Sequence, residues 1–237
     1  MKILCIGNSF SQDATRYLSE IALSNGEDFK VINLFIGSCS LEMHYNNIIE
    51  NADKYNVQER AQFSSEYISI EKALKSDDWD VVTVQQASAL SFNYATYQPY
   101  LDFLIKTIKQ HAKNAKIYVH QTWAYHDNSE KLEVYNFSSS KEMFDKLKIS
   151  YDKAFSDIKA DGIIPSGELI LKLNESGVKK THRDGLHLSL GIGRYAVGLL
   201  WYNKLSGKSV DNIKLNEYDE EILEKDIEIA KQIIKTL

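Results

Sequence analysis

Cysteine and proline are scarce in this chain, with two of each among 237 residues. Cys5 lies inside an apolar run and reads as core, so no disulfide is expected and a reducing compartment is implied. Two prolines cannot divide the chain with Pro-rich linkers, and neither repeats nor low-complexity tracts occur, so residues 1–237 are expected to form one domain. No apolar run approaches the about 18 residues that a membrane span requires. Lys2–Ile6 is too short for a secretory hydrophobic segment, and a cytoplasmic protein without a membrane partner is the expectation. Basic residues are outnumbered, 28 against 33 acidic, for a net charge of −5. That balance argues against nucleic acid or an anionic surface as the main partner. His120, His126, His182, Asp184 and His187 do not form a tight ligand motif, so no metal is expected, and no cofactor is implied.

What the chain does contain is ordinary globular composition, 43% apolar and 26% charged, with 14 tyrosines. Short apolar runs alternate with helical patterns. Lys2–Ile6, Lys30–Ile36, Asp80–Val84, Lys116–Gln121 and Gly162–Ile164 read as strands. Helical spacing marks 14–22, 41–51, 65–75, 97–112, 141–158, 169–173, 188–205 and 217–237, while 53–64 is polar and without clear period. Alternation of this kind predicts βαβ units. With right-handed crossovers the result is a three-layer α/β/α doubly wound sandwich on a five-stranded parallel sheet, flavodoxin-like in type.

Ligands of such sheets bind beyond the carboxyl ends of the strands, so the strand exits carry the information. They read Gly7-Asn8-Ser9-Phe10-Ser11, Gly37-Ser38-Cys39-Ser40, Gln85-Gln86-Ala87-Ser88 and His120-Gln121-Thr122-Trp123. Ser9, between a strand end and a helix start, is a candidate nucleophile. A serine needs a base, and the base an orienting carboxylate. Arg183-Asp184-Gly185-Leu186-His187 offers both, three residues apart, with a glycine to permit a tight turn.

The blocks GNSFSQDAT, IGSCSLEMH, VTVQQAS, HQTWAY and RDGLHLS together resemble the SGNH (GDSL-like) hydrolase superfamily, and within it a bacterial branch catalogued as a domain of unknown function. The resemblance runs from Met1 to about Leu205. It implies Ser9 as nucleophile, His187 as base and then acid, and Asp184 as its orienter. It also implies that the backbone N–H groups of Ser9 and Gly37 are oxyanion donors. Two departures stand out: Asn8 replaces an aspartate that braces loops, and Gln85-Gln86-Ala87-Ser88 stands where Gly-x-Asn is usual. Gln86 is favoured over Gln85 as the third oxyanion donor. The reaction implied is hydrolysis of a small-molecule or carbohydrate ester, with an acetyl or other small acyl group leaving a sugar-like alcohol.

Gln85, His120, Trp123 and Tyr125 are expected to line the substrate site. His44 either reaches the site or lies on a helix surface. His182 has no carboxylate at the spacing that serves His187. Ser38, Cys39, Ser40, Ala87 and Ser88 suggest a small acyl slot beside an aromatic cleft. The rival reading is a non-catalytic binding module, either with Ser9, Ser11 and Thr15 cradling a flavin or phosphate, or holding a glycan.

Overall fold

The computed structural model describes residues 1–237. Its seven strands are β1 (Lys2–Gly7), β2 (Lys30–Phe35), β3 (Tyr55–Glu59), β4 (Gln62–Ile68), β5 (Val81–Val84), β6 (Lys116–Gln121) and β7 (Gly162–Pro165). They form one sheet in the order β4-β3-β2-β1-β5-β6-β7. The five expected strands are the parallel ones, paired β2–β1, β1–β5, β5–β6 and β6–β7. β1 is central and covered on both faces, which is why it reads as an unbroken apolar run: Ile3, Leu4, Cys5 and Ile6 are fully buried.

The helices are α1 (Ser9–Thr15), α2 (Leu18–Ser24), α3 (Leu41–Ile49), α4 (Ile70–Lys75), α5 (Tyr100–His111), α6 (Lys131–Val134), α7 (Ser140–Ile158), α8 (Ser166–Glu175), α9 (Ile192–Ser206) and α10 (Glu224–Ile234). α9 is buried from Ile192 to Tyr202, as expected of a helix that is apolar on most sides. It packs against α1, α2, α8 and α10 in one layer. α3, α4 and α5 make up the other layer, where α7 covers β6. A continuous apolar core runs from Ile3 to Ile234. No helix is long and apolar enough to cross a membrane.

Three expectations are corrected. The sheet has seven strands rather than five, because β3 and β4 add an antiparallel hairpin beside β2. Ser65–Ile68 accordingly belongs to β4, and only Ile70–Lys75 of the expected 65–75 helix is helical. The hairpin was illegible for physical reasons. β4 is exposed along almost all its length, so no inward apolar face prints a period on the sequence. Its two-residue loop, Arg60-Ala61, takes positive φ at both positions (50° and 60°) without the Asn-Gly that usually announces such a turn. The helix expected over 14–22 is divided at Arg16-Tyr17, where the Tyr17 hydroxyl donates to the Leu190 carbonyl at 2.8 Å.

Omitting the hairpin, the order is β2-β1-β5-β6-β7, and the chain reverses its winding between β1 and β5. That crevice is the usual ligand position in doubly wound sheets. Its walls are the Gly7–Ser9 and Gln85–Gln86 exits.

Candidate active site

Ser9 opens α1, and Asn8 caps it: Asn8 Oδ1 accepts from Phe10 N at 3.0 Å. Ser11 Oγ accepts from Asn8 N at 3.1 Å and lies 2.6 Å from Asn33 Oδ1 on β2. Gly7 permits this tight exit, since a Cβ there would sit 2.4 Å from Ser11 Oγ. The Ser9 loop is therefore fixed from below by buried side chains, while Ser9 itself stays half-buried at the surface.

The Asp184–His187 turn arrives from the far end of the chain. Asp184 Oδ2 lies 2.7 Å from His187 Nδ1, and His187 Nε2 lies 2.9 Å from Ser9 Oγ. A carboxylate only accepts, so the proton sits on Nδ1 and Nε2 is left to accept from the serine hydroxyl. Asp184 Oδ1 accepts from Leu186 N at 3.0 Å and His187 N at 2.7 Å. Partial burial tends to raise the Asp184 carboxyl, but the His187 N–H, the His187 ring and the Leu186 N–H together bring it down to about 2. Asp184 is thus ionised at any working pH. Gly185 makes the turn possible, with φ at +78°.

The turn is held on a platform. His126 N donates to the Gly185 carbonyl at 2.8 Å, and Trp123 Nε1 donates to the Leu186 carbonyl at 2.8 Å. Phe10 stacks on Trp123 at 4.4 Å and tilts against the His187 ring at 5.8 Å. At its base the turn closes with Arg183 N donating to His187 O at 3.0 Å and Ser189 N to Thr181 O at 2.8 Å.

The Gly37 block bends sharply, with Cys39 N donating to Ile36 O at 3.2 Å and Ser38 at positive φ (56°). Asn8 Nδ2 donates to the Cys39 carbonyl at 3.1 Å, tying this block to the Ser9 loop. Neither Ser9 N–H nor Gly37 N–H has an acceptor in the protein. Both donors are free for a ligand.

Several expected roles are displaced. Gln86 is fully buried with its amide spent: Oε1 accepts from Leu41 N and Ala87 N, and Nε2 donates to Thr96 O and Oγ1. It has nothing left for an oxyanion. Gln85 is the glutamine that reaches the Ser9 loop, donating from Nε2 to Asn8 Oδ1 at 2.9 Å. Its Oε1 lies 2.7 Å from His120 Nδ1, which must therefore be the donor. His120 is fully buried against Trp201 rather than lining a pocket, and burial pulls its pKa down to about 3. Trp123 and Tyr125 are also buried, so neither forms an aromatic cleft; Tyr125 bonds Ser88 through its hydroxyl at 3.0 Å. Nor are Cys39, Ser40 and Ala87 open to a ligand, all three being buried.

His44 is neither in the site nor on the helix surface. It is fully buried, stacked on Tyr55 with Nδ1 2.9 Å from the Tyr55 hydroxyl, and its pKa is lowered to about 3 by burial. His182 contacts Thr181 and the Ala124 carbonyl, and burial chiefly, with His126 nearby, lowers its pKa to about 4. The hydroxyls of Ser11 and Thr15 are buried and bonded inside α1 and to β2, which removes the phosphate cradle. No group of three or more His, Cys, Asp or Glu side chains clusters as a metal site. One residue went unnoticed in the sequence: Asp13, the only acid in GNSFSQDAT, four places after Ser9 and fully buried. That helical spacing was its only signal.

Comparison with known proteins follows this geometry. The family model described as Domain of unknown function (DUF4886) matches residues 2–236. A DUF4886 family protein from Bacteroides uniformis has 33% sequence identity and a TM-score of 0.91, over 100% of this chain and 93% of that one. A Parabacteroides merdae protein named as GDSL-like lipase is 15% identical with a TM-score of 0.59, over 87% and 96% of the two chains. The acetyl xylan esterase AlAXEase is 15% identical with a TM-score of 0.55, over 86% and 98%. The chain thus shares its fold with proteins described as a GDSL-like lipase and an acetyl xylan esterase. No curated protein matches the sequence significantly.

Proposed function

We infer that this chain, which belongs to the DUF4886 family, is a serine ester hydrolase acting through Ser9, His187 and Asp184. The observation that carries the reading is the continuous pair of contacts, 2.9 Å from Ser9 Oγ to His187 Nε2 and 2.7 Å from His187 Nδ1 to Asp184. Two segments 178 residues apart in sequence meet there in the order that nucleophilic acyl transfer needs.

The chemistry follows from the groups. Ser9 Oγ attacks the ester carbonyl as its proton passes to His187 Nε2. The free N–H groups of Ser9 and Gly37 take the oxyanion. His187 then returns the proton to the leaving alkoxide, and water, deprotonated by the same imidazole, releases the acid from Ser9. Asp184 stays ionised throughout and supports the imidazolium. Gln85 braces Asn8, and so the loop that carries Ser9.

Acetyl or another small acyl group on a carbohydrate-like alcohol is the substrate class we favour. The His187 and Asp184 side chains are 26% and 49% exposed. A shallow, wet site of that kind suits a broad hydrophilic alcohol better than a long acyl chain, which gains from an enclosed apolar slot. The likeness in fold to an acetyl xylan esterase supports the same choice.

The test is a fluorophosphonate probe followed by peptide mapping, beside a panel of O-acetylated sugars and nitrophenyl esters of rising chain length. Covalent label on Ser9 and turnover falling from acetyl to octanoyl are expected. Ser9→Ala should fold and lose on the order of a million-fold in rate. Undiminished turnover in that variant, or preference for octanoyl, defeats the respective part of the reading.

A further inference from the structure

We propose that Asp13 is a positioning residue that locks the Asp184–His187 turn over Ser9; this rests on the hydrolase reading above. Asp13 lies one helical turn after Ser9 on α1, and its side chain is 0% exposed. Its carboxylate grips both ends of the turn. Arg183 Nη1 donates to Oδ1 and Oδ2 at 3.0 and 3.1 Å, and Leu188 N donates to Oδ2 at 2.9 Å. Arg183 and Leu188 are the residues immediately outside Asp184 and His187. Arg183 Nη1 also bonds the Leu188 carbonyl, so the two ends are joined to each other as well as to Asp13.

The remaining side of the carboxylate is held by α9. Arg194 Nε and Nη2 approach Oδ1 at 2.8 and 2.7 Å. Arg194 Nη1 continues to Asp219 at 3.4 Å, and Asp219 pairs with Arg16 on the far side. Asp13 therefore sits between a fixed cation in the helical layer and the turn that carries the base. Ser9 and Asp13 share one rigid segment, so their separation cannot drift. Fixing the turn to Asp13 sets the Nε2–Oγ distance.

Neutralising this carboxylate without changing its shape breaks the link. In Asp13→Asn, one of the two oxygen positions becomes an NH2 group. If it replaces Oδ2 it faces the Leu188 N–H; if it replaces Oδ1 it faces the Arg194 guanidinium. Either way donors oppose donors, and a buried polar group loses its partner. The turn can relax outward because it is partly exposed. Displacement of about 1 Å at a reacting pair costs on the order of a hundredfold in rate.

The experiment compares wild type, Asp13→Asn and Asp219→Asn. The second variant cuts the same charge network one step farther from the turn. Thermal melts, fluorophosphonate labelling rate at Ser9, steady-state kinetics on acetyl esters, and the NMR signal of the His187 Nδ1 proton are read on all three. Asp13→Asn should label and turn over about a hundredfold more slowly, with KM unchanged and the imidazole proton lost or displaced. Asp219→Asn should lose melting temperature yet keep labelling and the proton signal. Wild-type labelling and an intact imidazole proton in Asp13→Asn overturn the proposal, as do equal effects of the two variants. Should Asp13→Asn fail to fold, Arg183→Gln breaks the same bridge from its exposed side and must show the same split between kcat and KM. If wild type is never labelled but its imidazole proton disappears in Asp13→Asn, the hydrolase reading fails and the positioning role stands.

Discussion

Replacing Asp184 by asparagine should invert the His187 tautomer, and the geometry says why. Asp184 Oδ1 accepts two backbone N–H groups, from Leu186 at 3.0 Å and His187 at 2.7 Å, while Oδ2 accepts only the imidazole Nδ1–H at 2.7 Å. An asparagine has one carbonyl oxygen to place. At the Oδ1 position it keeps two hydrogen bonds; at the Oδ2 position it keeps one and aims its NH2 at two donors. At about 1 kcal/mol per hydrogen bond, and more for a donor left unpaired, the first orientation wins. The NH2 then faces Nδ1, which must become an acceptor, and the proton moves to Nε2. There it points at Ser9 Oγ and can no longer receive the serine proton. In serine triads the corresponding change lowers kcat about ten-thousandfold, equivalent to about 5 kcal/mol of activation free energy. The fold should hardly respond, since Asp184 is half exposed and both backbone bonds survive. Steady-state kinetics on an acetyl ester, with nitrogen NMR of the His187 ring to read the tautomer, make the assay. Activity within tenfold of wild type, or an unchanged tautomer beside a large loss, refutes this account of Asp184.

Gln86→Ala should lower the urea midpoint by stranding buried Leu41 and Ala87 N–H groups, each costing about 1–3 kcal/mol, while kcat of the folded fraction stays near wild type. Gln85→Ala should instead lower kcat through the loss of support for Asn8, and the reverse pattern would restore Gln86 to the oxyanion site. Stability should fall in mild acid because of His44 and His120, whose folded pKa values are lowered to about 3 by burial. Both are neutral in the fold while the unfolded chain takes up protons below about pH 6.5. Their contribution is therefore full above that pH and is lost toward pH 3, at up to about 1.4 kcal/mol per pH unit for each. Urea melts of a His44→Gln/His120→Gln double variant should show a shallower decline between pH 6.5 and 4, and an equally steep one would exclude these histidines as the cause. His182→Ala should retain most activity, because its ring contacts Thr181 and Ala124 and not the Ser9–His187 pair; a dead but folded variant in the same ester assay would show otherwise.

The five parallel strands and the three residues that meet at the site were legible because their signals are local. A strand buried on both faces prints as an apolar run, as in β1, and a Ser after a strand or an Asp-x-x-His around a glycine is written in adjacent positions. Side-chain direction is not local in that sense. Gln85 and Gln86 leave β5 as neighbours, yet they point to opposite faces of the sheet: one meets Asn8 and His120, the other Leu41 and Thr96. No property of the pair in sequence distinguishes them. His120, Trp123 and Tyr125 are polar-tipped or aromatic residues at a strand exit, and composition alone suits them to a cleft. α9 packing over His120 and the turn resting on Trp123 turn them inward instead. Asp13 makes the same point in reverse. Its spacing from Ser9 was visible, but its partners Arg183, Leu188 and Arg194 lie 170 to 181 residues away, and only the folded chain brings them onto one carboxylate. The sequence determined which chemistry the strand ends could supply; the tertiary structure decided which of those groups face the Ser9–His187 pair, because burial and facing depend on what packs against each side of the sheet.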